Sequence, residues 1–368
     1  MTIHEDSVFI ELRVNGAIFD TPTSVVIKRN RGIPTCEVKF PTSRSQFRLT
    51  KKDYVTVKVG LNKLPVWPTF SGYMTDPIWS TTERWQLAGE MYHATKKFYY
   101  MSDLSNFDGM EISQAVITAL YNVPFLSYGL AYYPERTSPA VFVDKFRAEK
   151  GISAWELACQ FRDMAVDNQY AINVRDYHIF EHAGTIYFRK VPDPSLVAQA
   201  EVELDYGYTI IDIDGGKTGA IPINAQWVFG KEGVIGYYEN ANRIAVDEYI
   251  EGDPIEDNNI PNNATASEIA RIATLSRMFQ DRKITVKSNK LIDCIPYHSV
   301  VQLNSVPYGL SGKYLINNLT INASSSKLSV EADMRGRSQV FTEALSRILG
   351  LGTISSLQSF SSLSNQLA

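Results

Sequence analysis

A chain of 368 residues, 44% hydrophobic and 21% charged, has an ordinary globular composition and room for two or three domains. A formal net charge of −4 gives no electrostatic case for binding nucleic acid or an anionic membrane surface. Three cysteines, Cys36, Cys159 and Cys294, lie more than a hundred residues apart, which excludes a disulfide framework and any CxxC pair and fits folding in a reducing compartment.

Residues Met1 to Asp6 have no basic stretch leading into an apolar run, so no signal peptide is expected. No apolar run approaches the roughly 20 residues that span a bilayer, so no membrane insertion is expected.

Residues 7–92 read as almost entirely strand. Val8, Ile10, Leu12 and Val14 form one face of an opening strand, and Asn15-Gly16 is a hairpin turn. Val25 to Lys28 and Cys36 to Phe40 are two further strands, separated by a basic loop, Arg29-Asn30-Arg31-Gly32. The stretch Asp53 to Met91 supplies three more alternating pieces. Six or seven strands are enough to close a small barrel or sandwich.

After about residue 95 the period changes. Asp108 to Glu111 reads as an N-cap with its acid at the third helical position, ahead of a helix with Ile112, Ala115, Val116, Ala119 and Leu120 on one face. Ser153 to Glu156 is a second capping box, followed by an apolar face of Ala154, Leu157, Ala158, Phe161, Met164 and Ala165. Strands are expected at Tyr170–Val174 and Thr185–Arg189, with turns at Asp176-Tyr177 and Ala183-Gly184. Pro192-Asp193-Pro194 marks a domain boundary.

From residue 200 strands are expected at Glu201–Leu204, Tyr208–Ile213, Ala225–Val228 and Arg243–Val246. Asp247 to Asn263 is acidic and turn-rich and reads as an exposed loop. Thr265 to Glu268 caps a third helix, at 266–280. Three alternating strands then run from Ser299 to Met334. In the tail, Ile348, Leu351, Ile354, Leu357, Phe360 and Leu363 recur every third residue, a spacing that winds around a helix. Such a tail is either a mobile terminus or a segment that orders against a partner.

The stretch Ser299–Met334 echoes Asp53–Met91. Each has an alternating strand, a Ser-Gly turn opening toward Tyr (Ser71-Gly72-Tyr73; Ser311-Gly312, then Tyr314) and a return strand ending in Met. The spacing from Gly72 to Leu87 is 15 and that from Gly312 to Leu328 is 16. Two diverged copies of one β-unit are therefore expected.

No chemical constellation emerges. Gly215-Gly216-Lys217-Thr218 matches the end of a phosphate-binding loop, but Ile211 stands where its first Gly is needed, so a hairpin turn is expected. His178 and His182 are four apart, but Ile179 holds the position of the HExxH glutamate. Gly151-Ile152-Ser153 begins like a nucleophile elbow, yet Trp155 replaces its second Gly, and capping accounts for Ser153. No catalytic residue, metal site or cofactor is expected. The basic spots Lys28 to Arg31, Lys51-Lys52, Lys96-Lys97 and Arg282-Lys283 read as solvated turns, some of which could steer a partner.

Phe70 to Met74 with Trp85 to Met91, Gly151 to Ala158 with Ile179-Phe180 and Thr185 to Phe188, and Ala264 to Met334 together resemble the baseplate hub proteins of contractile phage tails. That family includes the late-control protein D type, the T4 hub and the hub portion of the type VI secretion spike. The resemblance implies an α+β, mostly β fold: two related small β-barrel (tube) domains flanking an inserted α+β domain, with a C-terminal tail segment. The expected boundaries are 1–95, 96–198, 199–335 and 336–368. It further implies a homotrimer in the virion tail baseplate, made in the host cytoplasm. Three chains would present six similar units and so match a trimeric spike to a hexameric tail tube. A central channel would pass tape-measure protein and then DNA as cargo, with baseplate wedge proteins as further neighbours. Interface candidates are Arg29, Arg31, Lys51, Lys52, Asp253, Glu256 and the tail stripe Ile354, Leu357, Phe360 and Leu363. Two readings from other classes stay open, a tail-borne peptidoglycan hydrolase and a β-rich receptor- or carbohydrate-binding module.

Overall fold

In the computed structural model, the described residues are 7–19, 22–30, 32–40, 50, 53–78, 84–96, 107–121, 131–137, 140–143, 151–165, 177–182, 185–192, 194, 197–217, 223–241, 244–245, 248–256, 260, 262–277, 282–307 and 310–336.

The first unit contains β1 (Val8–Val14), β2 (Ala17–Ile18), β3 (Ser24–Arg29), β4 (Thr35–Lys39), β5 (Tyr54–Leu61), β6 (Phe70–Ile78) and β7 (Arg84–Gly89). Asn15 (φ 49°) and Gly16 (φ 85°) turn β1 into β2, as a two-residue hairpin with both φ positive requires. The strands lie in the order β3-β4-β7-β6-β5-β1-β2.

A second module follows. It comprises a 3-10 helix (Glu90–Lys96), α1 (Ile112–Tyr121), β8 (Ala131–Pro134), α2 (Ala154–Met164), β9 (Tyr177–His182) and β10 (Thr185–Lys190). Its sheet runs β8-β10-β9. Its own core holds Val116, Leu157, Phe161, Ile186 and Phe188. The Ser153 capping box is formed: Glu156 N–H donates to Ser153 Oγ (3.2 Å), and Ser153 N–H donates to Glu156 Oε2 (3.0 Å). The α1 cap differs from expectation. Glu111, not Asp108, receives a first-turn donor, Ser113 N–H at 2.9 Å, and also accepts from the distant Thr137 N–H at 2.9 Å. Against the pull of burial, the Ser113 and Thr137 hydroxyls, together with these N–H groups, hold its carboxyl below the usual range. The expected strand at 170–174 lies outside the described residues, and Tyr177, expected in a turn, opens β9.

The second unit holds β11 (Val202–Asp205), β12 (Asp212–Lys217), β13 (Ala225–Phe229), β14 (Ile235–Glu239), β15 (Ile255–Glu256), α3 (Asn263–Arg277), β16 (Arg282–Lys287), β17 (Val300–Asn304), β18 (Gly312–Ser324) and β19 (Leu328–Arg335). Between β12 and β16 the chain makes a small side module, with sheet order β14-β13-β15. Its core includes Val228, Ala266, Ile269 and Ala270 of β13 and α3. Asn262 caps α3, accepting from Thr265 N–H at 2.9 Å, so the helix starts earlier than a Thr265 cap would allow. The expected turn at Gly215-Gly216-Lys217 is strand β12, and Tyr208 lies in the turn before it. Ile244 N–H donates to Asn240 O (3.0 Å), a helical turn where a strand was expected at 243–246.

The remaining strands of the second unit run β12-β16-β19-β18-β17-β11, and β18 also pairs β3, joining both units into one 13-stranded sheet. The protein is thus mostly β within an α+β frame. Among the described residues the ladders follow an open path, with β12 and β2 at its ends. One apolar core runs through both units, from Val25, Ile27, Trp85 and Leu87 to Leu303, Ile321, Val330 and Met334.

Candidate assembly interface

The two units repeat each other over five strands. The order β3-β4-β7-β6-β5 matches β12-β16-β19-β18-β17, every neighbour antiparallel. The next strand departs from the repeat, because β1 runs antiparallel to β5 and β11 parallel to β17. The register agrees as well. The β6–β7 ladder slips between Met74 and Asp76, and the β18–β19 ladder slips between Ile316 and Asn318. Counted from that bulge, Leu87 corresponds to Met334, and Tyr54 to Val57 correspond to Val300 to Leu303. Equivalent positions face the core. Val55 and Val301 are both 0% exposed, as are Val38 and Val286.

This corrects the expected echo in detail. Gly72 corresponds to Tyr314, not to Gly312, and Leu87 corresponds to Met334, not to Leu328. Ser71-Gly72 is not a turn but lies inside β6. A Cβ at Gly72 would lie 2.1 Å from Ala88 O, so Gly there answers close strand approach. Met91 lies beyond β7, in the 3-10 helix.

The units meet where β18 runs past the end of β17. Its residues Leu319–Ser324 pair antiparallel with β3, Leu319 opposite Arg29 and Ile321 opposite Ile27. Arg29 was expected in a solvated loop. It is instead the last residue of β3, 9% exposed. Its Nη1 donates to Ile292 O and Cys294 O, both at 3.0 Å, and its Nη2 to Thr69 O at 2.5 Å. A planar fork with several donors suits three converging carbonyls. Burial draws the guanidinium down to about 10, so it stays charged at neutral pH. Arg29 therefore ties the units together within one chain.

A second joint links the first unit to the inserted module. Glu181 of β9 accepts from Glu90 N–H (3.0 Å) and Met91 N–H (2.9 Å), at the start of the 3-10 helix. Glu90 in turn accepts from Tyr54 Oη (2.6 Å) and Ser71 Oγ (3.1 Å). Desolvation outweighs these N–H donors and, with Glu90 nearby, pushes Glu181 up to about 8. His178 and Phe180 pack on Tyr297 and His298 of the second unit. Desolvation, with Arg29 nearby, draws His182 down to about 4. The two histidines flagged by their spacing thus belong to a packed joint.

Of the other interface candidates, Asp253 and Glu256 are exposed, flanking or within β15. Arg31, Lys51, Lys52, Ile354, Leu357, Phe360 and Leu363 lie outside the described residues. Val66 (81% exposed) and Trp67 (68%), in the β5–β6 turn, are apolar surface residues that periodicity does not flag. Among the described residues, no group of three or more His, Cys, Asp or Glu could hold a metal ion, and no helix is long and apolar enough to cross a membrane.

No protein-family model and no curated protein matches the chain. Solved structures do match. A 43 kDa tail protein of prophage MuSo2 from Shewanella oneidensis aligns with TM-score 0.62 and 11% identity, over 90% of this chain and 99% of that one. The fold is shared with tail proteins. A tail protein from Neisseria meningitidis MC58 aligns with TM-score 0.59 and 10% identity, over 92% of this chain and 99% of its own. A Francisella PdpA–VgrG complex contains a chain that aligns with TM-score 0.56 and 8% identity, over 91% of this chain and 58% of that one.

Proposed function

We propose that this chain is the structural baseplate hub of a contractile phage tail or a related injection machine. Three copies form a ring of six similar units that adapts a trimeric central spike to a hexameric tail tube, around a central channel. The observation that carries this reading is the repeat: two five-strand antiparallel units with one strand order, one register and a bulge at the same place. A three-fold ring offers six-fold neighbours a matching surface only when each chain carries the contacting unit twice. The fold shared with tail proteins supports the same reading. The partners are the spike, the tail tube protein and, at the channel and rim, tape-measure and wedge proteins, with DNA as cargo. The role is structural rather than enzymatic.

Light scattering of the chain alone, and of the chain co-expressed with the spike of its own tail, tests this. A three-chain species in either sample is expected. A single-chain mass in both, at every accessible concentration, would overturn the proposal.

A further inference from the structure

Within the chain, β18 extends beyond β17, and its freed edge is filled by β3. The counterpart of β18 is β6. It pairs β5 only through Tyr73 and then runs on to Ile78. Among the described residues, the edge at Asp76–Ile78 opposite β7 has no ladder partner. The counterpart of β3 is β12, the last strand of the sheet, whose ladder is with β16.

Burial tells the two apart. Val25 and Ile27 of β3 are each 0% exposed. Counted through β4 and β16, their counterparts are Ile213 and Gly215. Ile213 is only half-buried, and Gly215 is exposed. The same strand, in the same place of the repeat, is covered once and uncovered once.

We infer that β12 of one copy adds to the free edge of β6 in a second copy, in the register β3 makes with β18; this rests on the trimeric ring proposed above. The occupant is another copy of this chain because the two open edges are counterparts of a pair that already fits. One donor edge and one acceptor edge per chain make a head-to-tail contact, which must close into a ring or run on as a filament. Closure would also cover edges that otherwise invite uncontrolled pairing. The internal ladder sets the register. Leu319 opposite Arg29 and Thr320 opposite Lys28 become Pro77 opposite Lys217 and Ile78 opposite Gly216 across the copies.

Directly opposed residues in an antiparallel pair have Cα atoms about 4.5–5.5 Å apart, within the range a disulfide spans. The test is oxidation of the full chain carrying Ile78→Cys and Gly216→Cys, alone and with its spike, read on a non-reducing gel. The expected result is a shift from one-chain to three-chain mobility. Lys28→Cys with Thr320→Cys, the internal counterpart, should link within one chain and leave the mass unchanged. Ile78→Cys with Asp214→Cys, two residues out of register, should lose the intermolecular link.

Hydrogen exchange on the unsubstituted oligomer gives a readout independent of any variant. The amides of Asp212–Lys217 are expected to reach the same protection as those of Ser24–Arg29. A native trimer with no link at 78/216 and unprotected β12 amides would overturn the edge pairing and leave the hub reading standing. A chain that stays single in both samples would overturn both.

Discussion

The carboxyl group of Glu181 occupies the space that a side chain on Gly89 would fill: a Cβ at Gly89 would lie 1.8 Å from Glu181 Oε1. From that position Glu181 reaches the N–H groups of Glu90 and Met91. The joint between the first unit and the inserted module therefore depends on a missing side chain on one strand and a carboxyl group on another.

Gly89→Ala should push the carboxyl group off its two donors or displace Pro34, whose Cγ would lie 2.8 Å from the new methyl. Overpacking of this kind costs about 1–3 kcal/mol. Urea unfolding of the variant should show a lowered midpoint. An unchanged midpoint would mean that the joint contributes nothing to stability.

Glu181 also makes stability depend on pH. Its folded-state value, pushed up to about 8, lies above the ordinary value of 4.5. Between those values the folded chain holds a proton that the unfolded chain releases. The contribution is therefore full below about pH 4.5 and is lost as pH rises toward 8, at most about 1.4 kcal/mol per pH unit for one proton. Urea midpoints measured from pH 5 to 8 should fall more steeply for the native chain than for Glu181→Gln. Parallel curves would remove the carboxyl from this role.

Arg29 is the other joint that can be tested singly. Arg29→Leu removes the donors of three backbone carbonyls, and stranded buried acceptors together with the lost charge-assisted bonds cost about 2–4 kcal/mol. Arg29→Lys keeps the charge but not the planar fork, so it should recover little of the loss. Full recovery by Lys in thermal unfolding would show that charge alone matters.

The residues that announced themselves in the sequence were those whose neighbours are local. The Ser153–Glu156 capping box, the Asn15-Gly16 turn and the alternation of β1 and β5 need only adjacent residues, and they were legible. Features set by distant neighbours were not. Arg29 sits among other basic residues and reads as a loop, because the carbonyls it meets come from residue 69 and from 292–294. β16 opens with Arg282-Lys283 and so resembles a helix end. The glycines of β12 resemble a turn, although the strand is held by its ladder with β16. The repeat was visible as a motif order, but matching Gly72 to Gly312 misplaced it by two residues, because only hydrogen-bond pairing locates the bulges at Thr75 and Asn317.

The contact between the units offers the sharpest test of whether they fold as one body. Ile27 and Ile321 face each other across the β3–β18 ladder, and both are 0% exposed. Each Ile→Ala change deletes buried methyl groups and should cost about 2–5 kcal/mol. Because the side chains belong to one core, the double variant should lose less than the sum of the single losses, with a coupling of about 1 kcal/mol. A single urea transition should persist in all three variants if the shared sheet makes the units cooperative. Strict additivity, or a split into two transitions in the single variants, would show that the units are independent domains in contact rather than one folded body.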